Sequence, residues 1–412
     1  MAKTELLAPA GNWEKLKIAV AYGADAVYFG GEDFSLRRHA GNFPNDQLSA
    51  VIDYCRRRHV KAYLTVNCFA HAGELESLAD FLLSLRTHPP DGLIVADPGV
   101  LSLCRRTLPD IPLHLSTQAN TTNEEAVRFW GQQGVSRINL ARELSLADIG
   151  RIHQAAPDVE LEVFVHGAMC MAYSGRCLLS AVLAGRSANR GDCAHPCRWR
   201  YAVMEESRPG EYFPFEEDER GTYLFNSRDL CLLDYLPGLV NAGVEAVKIE
   251  GRMKSAYYVA VTTRVYRRAL DLIAAGDSIP ISVLAQMKQE LTKVSHRGYT
   301  KGFIDGLLEK NAQRIEDSSY DRRYQYVALV EKVEGASPAG QKARLSLAVK
   351  DRLQVGEVLE VLTPEGEDFT ATVETLADDR GGTMALVHPG QSVRARCVGG
   401  VFHPNQIFRR PV

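Results

Sequence analysis

The sequence has no stretch approaching the roughly 18 uncharged apolar residues that a membrane helix requires. Its opening residues, Met-Ala-Lys-Thr-Glu-Leu-Leu, run straight into a strand pattern. They lack a basic start, an apolar core and a small-residue cleavage site, so no secretory leader is expected and a cytoplasmic location is. Positive charge is not in excess either: 48 Lys and Arg stand against 51 Asp and Glu, for a net charge of −3. That excludes a polycationic nucleic-acid binder, though not an enzyme that meets RNA through one local patch. There is no Ser/His/Asp arrangement, no His-Glu-x-x-His helix and no phosphate loop, so the common protease and nucleotide-binding signatures are missing. Internal repeats and low-complexity tracts are absent as well. The nine cysteines make an odd count, which in a long chain without a leader disfavours a disulfide framework.

What is present is an alternation of short apolar runs with amphipathic stretches. Eight strands are predicted, at 5–8, 26–29, 61–66, 92–96, 113–116, 137–140, 161–165 and 246–249. Most are apolar throughout, as parallel strands buried on both faces are. Between them, Trp13, Leu16 and Val20 share a helical face that Gly23 can close. Leu48, Val51, Ile52 and Cys55 repeat at helical spacing. Asn123 can cap a helix carrying Val127 and Trp130, and Ser145 with Asp148 resembles a capping box. Eight such alternations predict an α/β fold, a TIM-type (β/α)8 barrel, with an open doubly wound sheet as the alternative. The barrel is expected to span residues 1–275, with a long connection at about 167–243. A helical connector at 276–323, helical over 281–308, then leads to a small C-terminal antiparallel β-barrel at 324–412. Its expected strands are 326–331, 343–349, 358–362, 371–376 and 384–387, separated by turn signals.

The strand ends carry polar residues, among them Asn67, Gln118, Arg142-Glu143, His166-Gly167 and Glu250-Gly251-Arg252. In a barrel these lie at the C-terminal mouth, where catalytic groups sit. Lys248, Glu250 and His166 are therefore candidate catalytic residues. Arg142 and Arg252 are candidates for holding an anionic small molecule, since a guanidinium grips a carboxylate bidentately. A charge network with a purely structural role is the competing reading.

Four of the nine cysteines, Cys170, Cys177, Cys193 and Cys197, follow the seventh strand with the spacing Cys-x6-Cys-x15-Cys-x3-Cys. Four thiolates can hold zinc or an iron–sulfur cluster. Structural zinc usually takes two tight pairs, whereas only the second pair is tight here, which favours a cluster. Cys231 lies on the same excursion and can replace one of the four. Cys55, Cys68, Cys104 and Cys397 read as ordinary buried thiols. Arg176, Arg186, Arg190, Arg198 and Arg200 surround the cluster segment, with Trp199 and Tyr201 interleaved. Arg198, Trp199 and Arg200 suit phosphate contact and base stacking. A solvated face, or arginines balancing a negative cluster, explains the same residues. Arg56-Arg57-Arg58 sits at a helix end and complements its dipole.

The run Glu162 to Ser180, which includes Cys170 and Cys177, resembles the signature of the collagenase-like peptidase family U32. Leu6-Leu-Ala-Pro-Ala-Gly11, Gly23-Ala-Asp-Ala-Val-Tyr28, Leu115-Ser-Thr-Gln-Ala-Asn120, Lys248-Ile-Glu-Gly-Arg252 and His296-Arg-Gly-Tyr-Thr300 resemble it too. Val165 to Cys177 and Gly221 to Ser227 are most similar to its tRNA-hydroxylating branch. That resemblance implies a 4Fe–4S cluster on Cys170, Cys177, Cys193 and Cys197. It also implies oxygen-independent, prephenate-dependent hydroxylation of a wobble uridine to 5-hydroxyuridine in the tRNA anticodon region, and a β-barrel C-terminal domain. Prephenate carries two carboxylates, in keeping with an arginine-bearing mouth. Other members act on a ribosomal RNA cytidine or in ubiquinone synthesis, or are labelled collagenases.

Overall fold

A computed structural model describes residues 3–35, 41–169, 228–306, 320–335, 339–378 and 380–412. It also gives the backbone of short strands at 203–204, 212–213, 216–218, 221–223, 226–227 and 313–314. The eight predicted strands form: β1 (Glu5–Pro9), β2 (Ala26–Gly30), β3 (Lys61–Val66), β4 (Gly92–Val95), β5 (Leu113–Leu115), β6 (Val135–Asn139), β7 (Glu160–Gly167) and β8 (Ala246–Ile249). All pair in parallel and in sequence order. β8 pairs with both β7 and β1, which closes the sheet into a barrel and removes the open-sheet alternative.

A helix follows each strand: α1 (Trp13–Ala21), α2 (Leu48–Arg56), α3 (Leu75–Ser84), α4 (Pro98–Thr107), α5 (Glu124–Gln132), α6 (Leu146–Ala155), α7 (Leu236–Asn241) and α8 (Ala256–Ala274). Local chemistry starts them. Asn123 Oδ1 accepts the Ala126 N–H at 2.9 Å, and Ser145 and Asp148 form the reciprocal capping box. The helices bury Leu16, Val51, Ile52, Ile149, Ile152 and Tyr266 against the outer barrel face in one large core. A separate small cluster, Leu7, Ala26, Tyr28, Tyr63 and Ile94, fills the barrel interior.

The helix expected over 281–308 is shorter. α9 (Ile281–Leu291) stops at Thr292, and Tyr299–Thr300 forms a strand beside Asp229–Cys231, which in turn pairs antiparallel with the end of β7. Neither short strand shows in the sequence pattern, because two or three residues carry no periodicity.

The C-terminal unit comprises β9 (Tyr324–Glu334), β10 (Lys342–Val349), β11 (Val358–Leu362), β12 (Phe369–Ala377), β13 (Ser392–Val398) and β14 (Ile407–Pro411). Their ring order is β11-β14-β9-β10-β13-β12, and β12 pairs back to β11 to complete a six-stranded antiparallel barrel. The strand expected at 384–387 is split into two short bridges, 383–384 and 386–387. β11, β14 and β9 face the large barrel. Tyr22 Oη donates to Leu362 O and Asn405 O, both at 3.1 Å, and Tyr326 Oη donates to Glu14 at 3.1 Å. Fully buried Arg409 bonds Glu290, Glu360 and Asp368 across this joint. Among the described residues, no helix is long and apolar enough to cross a membrane.

Candidate active site at the barrel mouth

Alternation along β8 sorts its side chains. Val247 and Ile249 join the outer core, and Lys248 and then Glu250 turn to the barrel axis. Lys248 Nζ lies 2.8 Å from Glu162 Oε1 of β7 and 4.6 Å from the centre of the Tyr28 ring. Asn139 Nδ2 donates to the same Glu162 oxygen at 2.8 Å. Deeper in the barrel, Arg137 donates to Glu5 at 2.5 Å and Tyr63 Oη donates to Glu5 at 2.9 Å. Burial alone lowers the Arg137 pKa, but Glu5 and Glu162 more than reverse it, so the guanidinium stays charged. The buried His114 imidazole is held well below its ordinary range, chiefly by desolvation and then by Arg137 and Lys248, and is neutral. The barrel floor is thus a set of compensated charges.

Above it, Tyr28 Oη donates to Glu250 Oε2 at 3.2 Å and to Ile249 O at 2.9 Å. Arg252 is buried, and its guanidinium donates to Ser35 Oγ at 3.0 Å, to Thr65 Oγ1 at 3.4 Å and to Asn42 Oδ1. These contacts fix the guanidinium in place. Gly30 makes room for it, because a Cβ there would lie 2.6 Å from Arg252 Nη2. Arg142 lies over the Phe164 ring at 4.2 Å and donates to Ala168 O at 3.1 Å. Asn67 Nδ2 donates to Gln118 Oε1 at 2.8 Å on the adjoining rim. The expected residues Glu250, Arg252 and Arg142 therefore gather at one end of the barrel, with Lys248 in the layer below.

His166 is placed differently. Lys248 pairs with Phe164 but Ile249 pairs with His166, so the register slips by one residue between them. The slip turns His166 to the side of Ile249 and α8. Its ring packs against Tyr258, Tyr266 and Tyr299, with centroids 5.9, 5.4 and 5.3 Å away. Desolvation pushes its pKa down to about 3, and Nε2 has no hydrogen-bond partner among the described residues. Gly167 closes β7 at φ 110°, where a Cβ would meet Glu250 O at 2.4 Å.

Beside His166 lies a second polar group. Buried Asp229 accepts from Arg297 at 3.0 Å and pairs with Lys254 at 3.5 Å. Burial raises its pKa, but Lys254 and Arg297 outweigh that and hold the carboxyl below its usual range. His296 stacks on Tyr299 with ring centroids 4.5 Å apart. Reading single residues does not single out Asp229, Lys254, Tyr28 or Tyr299 as site groups. The available signal for Tyr299 is the run His296-Arg-Gly-Tyr-Thr300.

Leu230 pairs with Gly167 and Cys231 with His166, so the connection after β7 leaves and rejoins the barrel at one strand edge. Cys231 Sγ is 3.8 Å from Tyr266 Oη, and burial raises its thiol pKa. Cys170, Cys177, Cys193, Cys197, Arg198, Trp199 and Arg200 lie outside the described residues. Among the described residues, no group of three or more His, Cys, Asp or Glu is arranged to hold a metal ion. A cleft of about 900 Å³ between α8, α9 and residues 364–368 is walled by Arg264, Glu290 and Asp368, and Arg264 pairs with both acids, so it is a domain joint.

Residues 11–314 match peptidase family U32, and residues 322–409 match the peptidase family U32 C-terminal domain. The chain is 36% identical to tRNA hydroxylation protein P1 of Bacillus subtilis, over 99% of this chain and 95% of that one. It is 38% identical to tRNA hydroxylation protein P of Escherichia coli, over 95% of this chain and 92% of that one. Identity to the 23S rRNA 5-hydroxycytidine C2501 synthase of Escherichia coli is 36%, over 87% of this chain and 52% of that one.

Proposed function

Because the chain belongs to peptidase family U32, we propose that it is an RNA-modifying enzyme that hydroxylates a tRNA base at the mouth of its barrel. The observation that carries this reading is near full-length similarity to two tRNA hydroxylation proteins, together with a polar barrel mouth built from Glu250, Arg252 and Arg142 above Lys248. Similarity to an rRNA hydroxycytidine synthase supports a pyrimidine base as the target class.

In finer terms, the base is the wobble uridine, converted to 5-hydroxyuridine without molecular oxygen, and prephenate is the co-substrate. A dicarboxylate suits Arg252 and Arg142, which bring two guanidinium groups to one rim. Glu250, positioned by the Tyr28 hydroxyl, is assigned proton transfer at that rim. Lys248, paired to Glu162, supplies fixed positive charge beneath it. Cys170, Cys177, Cys193 and Cys197 would hold a 4Fe–4S cluster, which would supply one-electron chemistry. The excursion that carries them is rooted at His166 and Gly167, which is the supporting observation.

Nucleoside analysis of tRNA from a deletion strain tests the reading. We expect 5-hydroxyuridine and its derivatives to vanish and to return with the wild-type gene. An unchanged nucleoside profile would overturn it.

A further inference from the structure

The outer face of the C-terminal barrel carries a second feature that the mouth does not explain. β13 alternates: Val393, Ala395 and Cys397 are buried, and Arg394 and Arg396 are exposed. β10 does the same, with Lys342 and Arg344 outward. The register sets Arg344 directly opposite Arg396, and Ser346 opposite Arg394. Like charges facing each other across strands oppose folding. On the other side of β10, Glu334 stands opposite Arg344, and Glu374 lies at the β12 bulge beside Arg396. None of Arg344, Arg394 and Arg396 has a carboxylate within ion-pair distance among the described residues. The acids of the flanking strands are Glu331 and Glu334 on β9 and Glu374 on β12, and Glu374 pairs with Lys342 at 2.8 Å. Lys332, opposite Ser346, extends the basic row.

The spacing shapes what can fit. Arg394 and Arg396 are two residues apart, about 7 Å along the strand, and Arg344 is one strand away, about 5 Å. All three charges lie within roughly one Debye length at physiological salt, about 8 Å, so they act as one multivalent site. A polyanion with regularly spaced charges matches such a site better than a single small anion. In the six-strand ring β10 stands opposite β11, and β13 opposite β14, and β11 and β14 are two of the three strands that face the large barrel. The arginine face is therefore turned away from the domain joint and open to a large partner.

We propose that Arg344, Arg394 and Arg396 form a docking surface for an RNA phosphodiester backbone, through which the C-terminal barrel holds the body of the tRNA. This rests on the reading of the enzyme as a tRNA hydroxylase and adds where that substrate is gripped away from the reacting base. The surface reads charge and not sequence, since its contacts are to phosphates.

Equilibrium binding of full-length unmodified tRNA to the full chain, between 50 and 200 mM monovalent salt, tests it. Each lost phosphate contact flattens the log–log salt slope by about 0.7 to 0.9. R344A/R394A/R396A should flatten it by about 2.1 to 2.7. The affinity gap to wild type should then widen by about 20- to 40-fold as salt falls from 200 to 50 mM. The all-lysine triple variant should keep the slope, and R396A alone should show about a third of the change, which covers any folding defect in the triple. Binding by wild type with an identical slope in R344A/R394A/R396A would overturn the docking surface and leave the hydroxylase reading intact. Failure of the wild-type protein to bind tRNA at all would overturn both.

Discussion

Arg252 shows how much a single strand end can carry. Its guanidinium is anchored by Ser35, Thr65 and Asn42 in a space that Gly30 leaves open. If it grips a carboxylate of the co-substrate, R252A removes a charge-assisted contact worth about 1.5–3 kcal/mol, or roughly 10- to 100-fold in the apparent donor affinity. R252K should recover only part of this, because the planar fork is lost. Hydroxylation followed against donor concentration checks it, and equal donor dependence in R252A and wild type would remove Arg252 from the site. His166 makes a different prediction. Its folded pKa of about 3 lies below the ordinary 6.5, so the neutral ring favours the native state above pH 6.5, and this is lost as pH falls from 6.5 toward 3. The full effect is on the order of 5 kcal/mol. H166F should flatten the decline of melting temperature between pH 6.5 and 4, and an undiminished decline would show that the ring titrates normally. The sequence makes Lys248, Glu250 and Arg252 legible, because alternation puts every second residue of β8 on the axis. It cannot show that His166 is turned aside, because one slipped pair between β7 and β8 reverses the facing of a residue that looks equivalent.

Elements read in proportion to their length and apolar content. The eight barrel strands and the capped helices declare themselves through unbroken apolar runs and through Asn123 and Ser145. β13 and β14 do not. The inward residues of β13 are small, and its arginines suggest a loop. β14 carries Arg409, Arg410 and Pro411, which a hydrophobicity pattern assigns to the surface, whereas Arg409 is fully buried. Its charge is retained because Glu290, Glu360 and Asp368 surround it. Burial alone would lower its pKa, and Tyr257, Glu290 and Glu360 raise it. Breaking such a buried network by removing one partner typically costs about 3–5 kcal/mol. R409A should therefore lower the thermal midpoint sharply and make the C-terminal barrel more open to proteolysis. A melting curve superimposable on wild type would mean that β14 is held by packing alone.

For the whole molecule, the fold class was readable from the count of β/α alternations, and the excursion after β7 from its length and cysteines. The chemistry of that excursion supplies the remaining test. Protein purified without oxygen should be brown and hold about four irons per chain, the stoichiometry of a Cys₄-ligated 4Fe–4S cluster. Alanine at Cys170, Cys177, Cys193 or Cys197 should remove most of the iron. R198A/R200A should retain it, which separates RNA contact from cluster support. Zinc in place of iron would refute the cluster, and iron loss in C231A but not in C197A would reassign the fourth ligand. The way the excursion is attached has a wider consequence. Gly167 and Leu230 are paired neighbours, so the chain departs and returns across a single strand spacing of about 5 Å. The barrel itself closes by direct pairing of β8 with β7 and with β1. Such a junction is a doorway whose two posts touch: whatever the chain carries beyond it is tied to the frame at one narrow threshold, directly beside the closing strands.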